Sequence, residues 1–92
     1  MKSNYKNKEM YCVEKISVLV DWRGKNYSGY ITDERINALG IVVAAKTMEE
    51  LEVKLRDAVQ FHVEGCVEDG DELPAWAVQG DYELIINGIV VI

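Results

Sequence analysis

Thr47-Met48-Glu49-Glu50 constrains this chain more than any other stretch. A threonine followed three residues later by a glutamate, ahead of an apolar run, is a capping box. The hydroxyl accepts from an orphan backbone N–H, and the carboxylate reaches back to the cap. Glu49, Glu50 and Glu52 also suit the positive end of the helix dipole. Downstream, Met48, Leu51, Leu55, Ala58, Val59, His62 and Cys66 recur at spacings of three and four, which makes one apolar stripe. Glu49, Glu52, Arg56, Gln60 and Glu64 fall mostly opposite it. Gly65 weakens the last turns and Gly70 is the natural stop, so the pattern predicts a helix from Met48 to Glu68. A helix with one apolar stripe has to bury it, and the rest of the chain must supply the surface.

Before the helix the hydrophobic period becomes that of a strand. Ile16, Val18, Val20 and Trp22 share one face, while Ser17 and Asp21 fall on the other with Leu19 as the exception. Arg23-Gly24-Lys25-Asn26 is a polar break whose glycine can take positive φ, and it should close a hairpin. In the returning strand, Tyr27, Gly29 and Ile31 alternate with Ser28, Tyr30 and Thr32; Asp33 to Asn37 is the next loop. Leu39 to Ala45 is nearly all apolar and β-branched, as a central strand buried on both faces would be. After the helix comes an acidic, turn-rich loop, Asp69 to Pro74, and a connecting segment that Trp76 and Val78 should pin to the body. Tyr82 to Asn87 reads as a fourth strand. Ile89 to Ile92 would be an aggregation hazard if free, so it should pair as the end of that strand, or cross to a second subunit. The order β-β-β-α-β predicts an α+β fold: a small antiparallel or mixed sheet with one long helix packed on one face. Residues 1–12 read as a flexible basic leader, and residues 13–92 as one domain.

Ninety-two residues leave room for a single domain, and 49% hydrophobic with 28% charged residues is ordinary globular composition that argues against disorder. Ten Lys/Arg against sixteen Asp/Glu give a net charge of −6, which disfavours whole-surface attraction to nucleic acid or anionic membranes. The apolar run from Ala38 to Ala45 is far too short to span a bilayer, and Met1 to Glu9 has no apolar signal region. Cys12 and Cys66 match no zinc or CxxC spacing. A soluble cytoplasmic protein with reduced thiols is the expectation. The charge is uneven: residues 1–46 carry eight basic and five acidic groups, residues 47–92 two and eleven. A solvated helix face and loop would account for this, as would an acidic surface that steers a basic partner.

The chemistry-bearing residues are sparse. His62, the single histidine, lies on the apolar stripe and is expected to pack there, without the further ligands a zinc site needs. Cys66 follows it by four residues, so the two share a face; filling the core explains both better than a nucleophile–base pair does. Asp69, Asp71 and Glu72 lack the twelve-residue frame of an EF-hand and read as a solvated turn. No GxGxxG, P-loop or GxSxG motif occurs. A two-metal RNA-cutting site needs several converging carboxylates, and Asp21 is the one strand acid placed to join them, with Glu14 and Glu83 peripheral. No catalytic residue, metal ligand or cofactor is expected. Thr47, Glu50, His62 and Gly70 are expected to be structural.

Several motifs, in order, resemble the HicB-like antitoxin family. Asn26-Tyr27-Ser28-Gly29-Tyr30 is like that family's second strand, and Gly40 precedes the third strand as it does there. Thr47-Met48-Glu49-Glu50-Leu51 is like its helix start, and Phe61-His62-Val63-Glu64-Gly65 with Asp69-Gly70-Asp71-Glu72-Leu73-Pro74 like its helix exit. The likeness covers about residues 15–87. It departs at Thr32 to Ile41, where the family's proline and cysteine are missing. The resemblance implies a truncated RNase H-like fold without the catalytic carboxylates. It also implies a protein that neutralises a small basic HicA-type mRNA interferase, as a homodimer or higher oligomer. Many members continue into a DNA-binding helix-turn-helix or ribbon-helix-helix; this chain reaches Ile92 without one, so operator binding is not expected. On this reading the contacts to a basic toxin would be Asp69, Asp71, Glu72, Trp76 and Tyr82, where acidic and aromatic groups coexist. The alternatives are an orphan oligomerisation domain and a degenerate RNase H-like nuclease using Asp21.

Overall fold

The computed structural model describes residues 13–91; the expectations for the leader, for Cys12 and for Ile92 lie outside the described residues. The elements are β1 (Glu14–Trp22), β2 (Tyr27–Asp33), a 3-10 turn (Glu34–Ile36), β3 (Ala38–Ala45), α1 (Met48–Glu68), α2 (Ala75–Gln79) and β4 (Tyr82–Val91). The sheet order is β3-β2-β1-β4, with β1 antiparallel to β2, β2 antiparallel to β3, and β4 parallel to β1. This is the α+β architecture the residue pattern predicts, with α1 on one face of a mixed sheet.

Helix α1 begins and ends where its sequence signals stand. Thr47 Oγ1 accepts from the backbone N–H of Glu50 at 3.1 Å. The return bond is displaced by one residue: Glu50 Oε1 accepts from the N–H of Lys46, at 3.1 Å, and not from the cap residue itself. At the other end Gly70 adopts φ +85°, and the N–H groups of Gly70 and Asp71 donate to the carbonyls of Val67 and Cys66 at 3.0 and 2.9 Å. That is a Schellman closure, and the left-handed residue it needs is why glycine stands there.

The core lies between α1 and the inward face of the sheet. Ile16, Val18 and Val20 of β1, Ile31 of β2, and Leu51, Leu55, Val59 and Val63 of α1 are all buried, together with Ile36. Leu55 packs directly over Gly29 of β2: a Cβ there would come 3.1 Å from both Leu55 methyl carbons. Close approach of helix and strand is therefore what the missing side chain permits.

Two expectations are corrected. β3 is an edge strand rather than a central one, and its Leu39 and Val42 are exposed. An apolar run satisfies the pattern of double burial equally well when one sheet face is apolar but open. The connecting segment after Pro74 holds the short helix α2, closed by Gly80 at φ +77°, and of the two residues expected to pin it Trp76 packs against the core but Val78 does not. Its buried residue is Ala77, and Val78 points largely to solvent. Ile89 to Val91 do extend β4, pairing with Val20, Asp21 and Trp22.

Candidate functional site

The acidic exit of α1 and the aromatic pair beyond it do not form a single presented patch. Asp69, Asp71 and Glu72 are exposed around the helix terminus. Trp76, by contrast, is half-buried, and Tyr82 is buried with its ring set edge-on to Trp76, centroids 6.1 Å apart. The guanidinium of Arg35 lies 4.8 Å from the Trp76 ring centroid and that of Arg56 lies 5.4 Å from the Tyr82 centroid. Tyr82 therefore supports the wall from within rather than offering a face to a partner.

Arg35 is the hub of that end of the molecule. Its Nε and Nη2 donate to the two carboxylate oxygens of Asp33 at 3.0 and 2.7 Å. Nη1 donates to Glu14 Oε1 at 2.9 Å, and Nη2 also reaches the Lys15 carbonyl at 2.7 Å. One planar fork thus joins the start of β1, the 3-10 turn and α2. The paired guanidinium holds the Asp33 carboxyl below the usual carboxylate range. Arg35 is thus absorbed in the fold, so the first half's basic excess is in part structural.

His62 Nε2 lies 2.7 Å from the Ile36 carbonyl. A carbonyl oxygen can only accept, so this nitrogen carries the hydrogen and donates it. The same nitrogen is the one 3.5 Å from Cys66 Sγ, and it has no lone pair left to take a thiol proton. Burial, then the nearby Asp71 and Asp69, push the Cys66 thiol above its ordinary range, opposite to what a nucleophile requires. Iodoacetamide at pH 7 should accordingly leave Cys66 unlabelled in the folded protein while labelling it readily in denaturant. Peptide mapping by mass spectrometry checks this. Fast labelling of the native protein would contradict it. Among the described residues no three His, Cys, Asp or Glu side chains gather to hold a metal ion.

The surface that stands out is the sheet face turned away from α1. Register places Leu19, Tyr30 and Val42 side by side across β1, β2 and β3. Leu19 is 72% exposed and Val42 57%. On the β4 side, a step of two residues along β1 (Val18 to Val20) matches a step of three along β4 (Ile86 to Ile89). This bulge, at Asn87-Gly88, reverses the alternation, so Ile89 turns toward the core side and Val90, 62% exposed, joins the outer face beside Asp21. No described element lies over this face. Isolated exposed apolar residues are ordinary; here they stand in register as a row across the sheet. Leu19 was visible in the sequence as the one break in the alternation of β1; the contribution of Val90 depends on a bulge that periodicity alone does not locate. No protein-family model, curated protein or solved structure matches this chain. No helix of the described residues is long and apolar enough to cross a membrane.

Proposed function

We propose that this chain is a HicB-like binding module that acts in the cytoplasm and neutralises a small basic HicA-type mRNA interferase by protein–protein contact, not by turnover. The observation that carries the reading is the open outer face of the sheet, with Leu19, Tyr30 and Val42 in register across three strands. Burying such side chains contributes roughly 1.5–3 kcal/mol each, enough for a few of them to anchor a complex. The net charge of −6, concentrated after residue 46, supports a basic partner, because it raises the rate of encounter. Asp69, Asp71 and Glu72 belong to this steering field.

The test is co-expression of the chain with a HicA-type interferase in cells whose growth the toxin arrests. The wild-type chain should restore growth and co-purify with the toxin. Leu19→Asp with Val42→Asp should abolish both, while circular dichroism and Tm stay near wild type because neither side chain is in the core. Absence of rescue by the wild-type chain overturns the reading. The same open face favours a second reading, an oligomerisation domain. Light scattering on the chain alone, read beside toxin capture, separates the two: a dimer that Leu19→Asp dissociates, in a chain that captures no interferase, argues for self-association as the sole role.

A further inference from the structure

Asp21 is a carboxylate buried on a face that is otherwise open. The residue is 8% exposed, and its Oδ1 has no hydrogen-bond partner among the described residues. The one cation paired with it among the described residues, Arg23, forms a loose ion pair with that same oxygen, Nε to Oδ1 3.6 Å, beyond hydrogen-bond length and from a side chain that is itself 61% exposed. Around the carboxylate, Leu19, Tyr30 and Val90 line a shallow apolar pocket of about 210 Å³. Strands place charges on solvent faces freely, but they do not normally sink one among aliphatic side chains without a donor. An orphaned acceptor of this kind persists where something else supplies the donor.

We infer that Asp21 and its apolar pocket form the anchor point for a lysine or arginine side chain of the basic protein partner. This rests on the binding-module reading and adds the contact that would set specificity. The chemistry on each side matches. A long cationic side chain can lay its methylene stem along Leu19 and Val90 while its head meets the carboxylate. A guanidinium would satisfy both oxygens with two parallel hydrogen bonds. A phosphate-bearing ligand is disfavoured, because the pocket would bring two negative charges together at low dielectric. The bulge at Asn87-Gly88 is part of the device, since without it Val90 would turn inward and the pocket would lose a wall. The steering acids at the helix exit and the Asp21 anchor then have separate kinetic signatures, the first in the association rate and the second in the dissociation rate.

The experiment measures binding of a catalytically inactive HicA-type interferase to the full chain by surface plasmon resonance, with Tm recorded for each variant. Asp21→Asn should weaken Kd at least tenfold, chiefly through faster dissociation. The free domain should keep its fold, with Tm within about 4 °C of wild type, because the amide preserves the side-chain shape and the Arg23 ion pair that is lost lies on a side chain 61% exposed. Changing Asp69, Asp71 and Glu72 together to amides should slow association and flatten its salt dependence, leaving dissociation within twofold. Wild-type affinity in Asp21→Asn overturns the anchor while the binding-module reading survives. Failure of the wild-type chain to bind overturns the module reading and the anchor together. A change in the chain's own sedimentation on Asp21→Asn, with toxin affinity unaltered, assigns the pocket to a second copy and also overturns the proposal.

Discussion

Leu55→Ala is expected to lower the stability of the domain by about 3 kcal/mol, measured as the shift in urea midpoint at constant m. Leu55 is fully buried, and both its methyl carbons sit over Gly29 on β2, so truncation removes the contact between the helix and the middle of the sheet. A domain of 92 residues is held by roughly 5–14 kcal/mol, so the loss is a substantial part of the whole. The neighbouring glycine provides an internal check. Gly29→Ala alone introduces a Cβ 3.1 Å from those methyls and should destabilise. In the Leu55→Ala background the same Cβ enters the vacated space, so the double variant should be more stable than the sum of the two losses. Strict additivity would show that helix and strand do not meet here. Phe61→Ala, on the same helix but 79% exposed, should change stability by no more than about 0.5 kcal/mol.

Arg35→Ala carries the second large effect, about 1–2 kcal/mol. The value is discounted from that of a buried pair because the arginine side chain is 44% exposed. Its loss leaves the Asp33 carboxylate with one backbone donor, the N–H of residue 35, and leaves the Lys15 carbonyl without the guanidinium. Trp76 loses its cation, so α2 should loosen, visible as a red shift in tryptophan emission. The pH dependence distinguishes this cluster from ordinary packing. Asp33 has a depressed folded-state pKa, principally from the Arg35 side-chain hydrogen bonds. Its contribution is therefore fully present above the ordinary carboxylate range, about pH 4, and is lost as pH falls through the lower folded value. Wild type should lose this contribution on acidification from pH 5 to pH 2. Arg35→Ala should show a shallower acid loss, since in the variant the carboxyl titrates nearer its unfolded value. Arg35→Lys restores charge without the planar fork and should recover only part of it. Equal acid sensitivity in wild type and Arg35→Ala would contradict the assigned role.

The conformity of α1 to its local signals and the divergence of the aromatic site have the same origin. The helix is specified by contacts that reach no further than one turn: Thr47 to Glu50 at its start, Gly70 and Asp71 to Val67 and Cys66 at its end. Such signals are written within a few residues and survive any tertiary context. Asp69, Trp76 and Tyr82 fall together in the sequence pattern because acidic and aromatic residues neighbour one another in the chain. In space Arg35, 41 positions before Trp76, claims the indole, and Tyr82 turns into the core. Nothing in the local pattern of either residue announces that pairing.

The amino-acid order by itself determined the β-β-β-α-β succession without the short α2, the span of the long helix, its buried stripe and the first hairpin, because these depend on periodicity and on short-range capping and turn chemistry. Only the tertiary structure decided that β3 lies at the sheet edge, that β4 runs parallel beside β1, and that a bulge sets Val90 next to Asp21. Strand order and register are properties of pairing between distant segments, and an alternating or continuous apolar run is compatible with several neighbours. The isolation of a carboxylate on the outer face follows from that pairing alone.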